Sequence, residues 1–92
     1  MDKLIRLHQL DNVLIVAVKI QAGEHLTYCG MEFYFSHAIE IGHKVALKYL
    51  ETGEKIVMYG IPIGSASRMI QMGDHVDHRN MKSDYLPKSA ST

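Results

Sequence analysis

Six histidines in 92 residues make histidine chemistry the first question that this sequence raises. His75 and His78 stand on either side of Asp77, and imidazole and carboxylate groups are common ligands of divalent metal ions. Alternate residues of a strand share a face, so His75 and Asp77 are predicted to hold one ion together. Two ligands do not complete a site without help from another chain. The alternative is a solvated polar strand.

His43 and Lys44 form the second candidate, directly before an apolar segment. An imidazole can act as a general base near neutral pH, and an ammonium group attracts a carboxylate. We predict His43 as the catalytic residue and Lys44 as a substrate-binding residue. Adjacent strand residues point to opposite faces, so the two are not expected to contact one ligand together. The alternative is a turn histidine beside an exposed lysine.

Two further groups are predicted to bind an anionic substrate. Arg79 and Asn80 suit an oxyanion, because a guanidinium pairs with a carboxylate through two hydrogen bonds. His8, Asp11 and Asn12 form the other group. Their alternative is a strand end followed by a turn, since Asp and Asn side chains bond their own backbone two residues on.

Composition excludes several classes of function. Lys plus Arg equals Asp plus Glu at 10 each, with 47% apolar and 22% charged residues, which is typical of a globular domain. Nucleic-acid-binding proteins usually carry a basic excess, so no nucleic-acid partner is expected. The longest apolar run, residues 13–18, is too short to cross a bilayer, and the lone Cys29 fits a reducing compartment. We expect a cytoplasmic location and no membrane partner.

The order of elements predicts a mostly β fold with little helix. Residues 13–20 are β-branched and apolar, as in a strand buried on both faces. Residues 26–28 and 31–35 flank Cys29 and Gly30 in a hairpin pattern, with His25 and His37 expected on the surface at its ends. Residues 3–8 are predicted as an edge strand.

The second half of the chain is also predicted to be mostly β. Residues 44–49 and 55–59 are expected to pair across a turn at Gly53, with a helix over 44–51 as the alternative because Ala, Leu and Lys favour helices. Residues 68–71 are predicted as one helical turn, and residues 75–80 as extended. An apolar–x–x–Gly–acid pattern recurs at residues 20–26, 50–56 and 70–76, which predicts three strands that begin after the same kind of turn.

Five segments together resemble a known family: HQLDNV (8–13), IGHKVAL (41–47), TGEKIVMYG (52–60), IPIGSA (61–66) and MGDHVDHRN (72–80). Their order and spacing are similar to those of the amino-terminal SAF-type domain of altronate and galactarate dehydratases. The same type of domain occurs as the separate small subunit of sulfolactate sulfo-lyase. The resemblance covers nearly the whole chain.

The resemblance implies a fold and a partner. The fold is a SAF-type β-clip, a two-stranded ribbon bent sharply on itself, over residues 3–86, with a flexible tail or linker start at 87–92. The partner is a large catalytic subunit or domain that acts on a sugar acid. A divalent metal of iron or manganese type is implied in the assembled enzyme, with none held tightly by this chain alone. His43, His75 or Arg79 is then expected to serve as a clamp or acid on one wall of the site.

The segment from His75 to Asn80 departs from the altronate pattern. Altronate-type members carry a run like HVHxHN, so Asp77 and Arg79 stand here in place of two histidines. Galactarate-type members look similar to this chain at Asp77. The identity of the substrate therefore stays open. Alternatives to the dehydratase are a sulfo-lyase small subunit or a non-catalytic SAF binding module, although GHKVAL and YGIPIG favour the dehydratase group.

Overall fold

The computed structural model of this protein describes residues 2–84. Within them it contains nine short strands and no helix, so the predicted mostly β fold is confirmed. The tail predicted at 87–92 lies outside the described residues. The strands are β1 (Leu4–Ile5), β2 (Val13–Val16), β3 (His25–Tyr28), β4 (Met31–Tyr34), β5 (Lys44–Ala46), β6 (Lys55–Met58), β7 (Ile61–Ala66), β8 (His75–Val76) and β9 (Met81–Lys82).

The strands form three antiparallel sheets, in the orders β1-β2-β5-β8, β3-β4 and β6-β7-β9. The four-stranded sheet lies between two apolar cores, because its side chains alternate between them. Leu14 and Val45 belong to the first core, with Phe33 of the β3-β4 hairpin. Val13 and Ala46 belong to the second core, with residues of β6 and β7. The predicted burial of this segment on both faces is therefore confirmed for β2.

The predicted pairing of residues 44–49 with 55–59 is wrong, and so is the helical alternative. β5 pairs with β2 and β8, whereas β6 pairs with β7. Val45 and Ala46 are both fully buried, and a strand buried on both faces needs neighbours on both edges. The turn at Gly53 leads from the four-stranded sheet to the β6-β7-β9 sheet. A hydrogen bond from the amide of Gly53 to the carbonyl of Ala66 attaches the turn to β7.

Two local predictions in the last third are also wrong. Residues 68–71 form no helical turn, since Ile70 makes an isolated bridge to Leu50 instead. The extended segment ends at Val76, and residues 77–80 turn back so that the amides of Asn80 and Met81 both donate to the carbonyl of Asp77. Asp77 and Asn80 cause this turn, because their side chains bond backbone amides within the same four residues.

Four turns of one construction join these strands; we call them the glycine turns, residues 20–24, 39–43, 50–54 and 70–74. Each begins with an apolar residue in a bridge, Ile20 to Ile39 or Leu50 to Ile70, and has a glycine of positive φ at its fourth position. The three turns predicted from the repeated pattern are present, and β3, β6 and β8 follow them. The pattern missed the fourth turn, because His43 stands where the other three have an acid.

The HQLDN segment clamps the β6-β7 hairpin. The Asp11 carboxylate is buried and accepts from the amide of Gly60 at 2.8 Å. The Asn12 side chain donates to the carbonyl of Lys55 and accepts from the amide of Val57. These bonds hold the hairpin beside β2. They give Asp11 and Asn12 a structural task, while their predicted contact with substrate stays a prediction.

We expect Gly60→Ala to destabilise the fold more than Gly30→Ala does. Both glycines have positive φ, +71° and +79°, where an alanine costs about 1 kcal/mol. A methyl group at Gly60 would also lie 2.9 Å from the ring of His8, whereas nothing lies within 4 Å at Gly30. The His8 ring accepts from the amide of Leu10, so displacing it should cost about 1 kcal/mol more.

Urea unfolding of the two variants measures this difference. In a His8→Ala background the extra cost at Gly60 should disappear. Equal losses for both glycines in the natural background would show that the His8 ring moves aside freely.

Candidate functional site

The strand register brings two histidines together that lie far apart in the sequence. β5 and β8 are adjacent antiparallel strands, with Val45 opposite His75. His43 precedes β5 and His75 begins β8. As a result, Nδ1 of His43 lies 2.8 Å from Nε2 of His75, with the rings tilted by 52°. His43 is exposed and His75 is partly buried, so the pair presents His43 to solvent.

The side chain of His43 is available for this contact because it does not bond the backbone of its own turn. In the other three glycine turns the acid accepts from the backbone amide three residues earlier, at distances of 2.9, 3.1 and 2.9 Å for Glu24, Glu54 and Asp74. His43 makes no such bond to the amide of Glu40 within the described residues; its ring bonds His75 instead. The fourth turn therefore lacks a local hydrogen bond that its three equivalents have.

An ion pair lies behind the histidines. Arg79 donates from Nε and from a terminal nitrogen to the Asp77 carboxylate, the shortest distance being 2.8 Å. This hydrogen bonding lowers the pKa of Asp77 to about 2. Because that value lies below the ordinary 3.8, the pair stabilises the fold above about pH 4, and this contribution is lost as the pH falls through 2.

The ionised Asp77 lies close to the histidine pair, with its Oδ2 3.8 Å from Nδ1 of His75. Burial nevertheless lowers the pKa of His75. The Asp77 carboxylate acts to raise this pKa, but His43, Arg79 and Lys44 act to lower it. The uncharged form of His75 is therefore favoured. The chemical groups run in the order His43, His75, Asp77 and Arg79, which is suited to proton transfer at the exposed end.

A hollow beside the pair carries cations that the sequence did not associate with it. His75 and Arg79 line it together with His37, Arg68 and Met69. His37 was predicted as a plain surface residue, and Arg68 was placed in a helical turn. No short-range signal links either to residues 75–79, because they reach the hollow on separate loops.

The predicted metal pair, His75 and Asp77, is brought together but does not make a complete donor set. Residues 2–84 contain no group of three or more His, Cys, Asp or Glu side chains that could hold an ion. Arg79 engages both oxygens of Asp77, and His43 engages one nitrogen of His75. A metal role for these two residues stays a prediction that requires ligands from elsewhere.

The side chains of three other predicted binding residues form hydrogen bonds with backbone groups. Asn80 accepts from the amide of Asp77 and donates to the carbonyl of His75, which fixes the loop that carries the site. His8 and Asp11 bond within the clamp on the β6-β7 hairpin, with no bond to the histidine pair. By contrast, Lys44 forms no ion pair among the described residues and adjoins His43. The predicted roles of these residues in substrate binding stay predictions.

The fold and the site define a class: a small all-β domain that exposes one imidazole of a histidine pair beside a hollow lined with both basic and acidic groups. The family model described as "Altronate/galactarate dehydratase SAF domain" matches residues 2–84. The chain belongs to this family. The predicted recognition is confirmed, while the β-clip arrangement of the ribbon stays a prediction.

Individual relatives agree with this assignment. The chain is 39% identical over 84 residues to "Altronate dehydratase" of Bacillus subtilis (strain 168), which covers 91% of this chain but only 17% of that protein. It is 32% identical over 83 residues to "(2R)-sulfolactate sulfo-lyase subunit alpha" of Chromohalobacter salexigens, covering 82% of this chain and 88% of that subunit. The chain therefore spans under a fifth of the dehydratase and most of the sulfo-lyase subunit. One relative is named as a dehydratase and the other as a lyase subunit, which supports an association of this chain with a lyase.

No helix in the described part of the chain is long and apolar enough to cross a membrane.

Proposed function

We propose that this chain is the small subunit or amino-terminal domain of a sugar-acid dehydratase. The enzyme would be a hydro-lyase of altronate or galactarate type that yields a 2-keto-3-deoxy acid in the cytoplasm. The chain would form one wall of the substrate site, and a large catalytic subunit or domain would form the rest. Family membership supports this proposal. The observation that carries it is the 2.8 Å contact between His43 and His75.

Dehydration of a sugar acid poses a defined chemical problem. A proton must leave the carbon next to the carboxylate, and a hydroxyl group on the following carbon must gain a proton from a general acid to depart as water. The base must be unprotonated before the reaction, and cations must stabilise the negative charge that develops on the carboxylate.

The residues of this site fit the tasks of base and carboxylate binding, and the large subunit or domain would supply the acid that protonates the departing hydroxyl group. His43 would take the proton, with His75 behind it to fix the ring. Lys44 adjoins His43 and would attract the carboxylate. Arg79 uses one edge of its guanidinium on Asp77, and its side chain is 66% exposed, so the other edge would bind the substrate.

A divalent metal of iron or manganese type fits this chain only in part. His75 and Asp77 would supply an imidazole nitrogen and a carboxylate oxygen, and the large subunit would supply the remaining ligands. When bound, such an ion would offset the charge that develops on the substrate carboxylate.

A second candidate function is that of a sulfo-lyase small subunit, in which sulfite would leave instead of hydroxide. It is favoured by the coverage of 88% of the sulfolactate sulfo-lyase alpha subunit. The same base and the same cations would serve, because that reaction also begins with a proton next to a carboxylate. Substrate trials with altronate, galactarate and sulfolactate separate the two candidates.

The experiment combines the purified chain with the large subunit or domain of its own source. The chain alone is expected to form no 2-keto-3-deoxy acid from altronate or galactarate, because residues 2–84 hold no complete set of acid, base and metal ligands. In the assembled enzyme, Arg79→Ala should lower kcat/KM about 10- to 100-fold through loss of a charged hydrogen bond.

His25→Ala provides the control for this experiment. His25 lies on β3 and bonds Glu32, outside the site, so its loss should leave turnover unchanged. Formation of the 2-keto-3-deoxy acid by the chain alone would refute the proposal that a large subunit or domain is needed for the reaction. Equal activity of the Arg79→Ala and His25→Ala enzymes would instead make this domain a non-catalytic module.

A further inference from the structure

Arg68 is a cation without an acid partner at the hollow beside the histidine pair. It forms no ion pair among the described residues. The two carboxylates that line the same hollow are both engaged: Asp74 accepts from the amide of Gln71, and Asp77 pairs with Arg79. Neither acid of the described hollow forms an ion pair with this guanidinium.

The position of Arg68 is nevertheless fixed. One terminal nitrogen of its guanidinium donates to the carbonyl of Arg79 at 2.9 Å. That bond ties the side chain, which extends from the loop between β7 and β8, to the turn that carries Asp77. A guanidinium anchored by one nitrogen keeps other N–H groups for a ligand, and its planar fork matches a carboxylate or a sulfonate.

Arg68 is also separated from the reacting end of the site. His43 and Lys44 line a separate hollow, whereas Arg68 lines the hollow of His75 and Arg79 and bonds the carbonyl of Arg79. His37 lines the same part of the hollow, and its Nδ1 contacts the hydroxyl of Ser36. An anionic group bound here would therefore lie beyond the atoms that react at His43.

We infer that Arg68, assisted by His37, binds a second anionic group at the far end of the substrate. This inference rests on the proposed function for the reaction at His43. The substrate class that it names is an acid with an anionic group at each end, either a sugar dicarboxylate or a carboxylate with a sulfonate. A sugar monoacid lacks the group that Arg68 would bind.

The test in the assembled enzyme compares galactarate, with a carboxylate at each end, and altronate, whose far end is an alcohol. Arg68→Gln should lower kcat/KM for galactarate about 10- to 100-fold, mainly through KM, and should change that for altronate less than twofold. Lys82→Gln is the control, because Lys82 is an exposed lysine of β9 without an ion pair among the described residues.

Four results would overturn the inference. The first is a higher kcat/KM for altronate than for galactarate in the natural enzyme. The second is an equal loss for both substrates, which would place Arg68 on the reacting carboxylate. The third is an unchanged kcat/KM for galactarate. Weakened assembly of Arg68→Gln with the large subunit would also overturn it, by assigning Arg68 to the interface.

A titration of the chain itself keeps the inference separate from the proposed function. Galactarate and galactonate share one carbon skeleton and differ only at the far carboxylate. Galactarate should shift the Nε–H resonance of Arg68, and galactonate should not. If the assembled enzyme acts on no sugar acid but this difference appears, the proposed function fails and the anion site stands. Equal shifts from both ligands, or none, would remove the site.

Discussion

Replacing His43 by glutamate is expected to inactivate the assembled enzyme and to stabilise the domain at the same time. The proposed general base would be lost from its place beside His75, which should lower kcat/KM by at least about 100-fold. The glutamate would instead cap the turn, as Glu24 and Glu54 do in the equivalent turns. One local hydrogen bond is worth about 0.5–1.5 kcal/mol, so the free energy of unfolding should rise by up to about 1 kcal/mol.

The reverse exchange is the matched control. Glu54→His removes a cap from a turn that lies away from the histidine pair, so it should lower stability by a similar amount and leave kcat/KM unchanged. Urea midpoints of both variants and the turnover of both assembled enzymes give the four values needed. A loss of stability in His43→Glu would show that the histidine pair is a structural contact, and retained activity would remove His43 from the mechanism.

Gly64→Ala is expected to have the largest effect on stability, because β9 lies directly against this glycine. An added methyl group would overlap the backbone carbonyl oxygen of Lys82. Backbone cannot yield as a flexible side chain does, so the pairing of β7 with β9 must break. Ser65 would also lose its bond to Asp84. Together these losses should cost about 3 kcal/mol or more.

Urea unfolding and amide exchange check this prediction. The amide of Ser67 donates to the carbonyl of Asn80, so its exchange should accelerate in Gly64→Ala. Gly30→Ala is the comparison, since its added methyl group meets open space and should cost only about 1 kcal/mol. A loss at Gly64 no larger than that at Gly30 would mean that β9 contributes little to the fold.

Local features were predictable from the sequence, and long-range ones were not. The hairpin of β3 and β4 was predicted because its two strands and its turn at Cys29 and Gly30 are contiguous. The partner of β5 was predicted wrongly, because the choice between β6 and β8 depends on which core each face enters. A turn marked by glycine signals a change of direction but does not specify the next neighbour.

The site shows the same difference between local features, which the sequence predicted, and long-range contacts, which it did not. His43, Asp77 and Arg79 were identified by residue type, but the contact between His43 and His75 depends on the pairing of β5 with β8. Arg68 was missed because its significance comes from the absence of an acid partner around it, which only the folded arrangement shows. The strongest overlooked signal was the fourth glycine turn. Its histidine interrupts a pattern that the other three turns keep.

The two apolar cores share one sheet, and this arrangement makes the site a reporter of complete folding. The last glycine turn around the first core ends at His43, and the last one around the second core leads directly into His75. Leu14 and Val13, adjacent in β2, face different cores, so neither half can bury its own apolar residues without the shared sheet. The two imidazoles can therefore meet only in molecules in which both halves have folded.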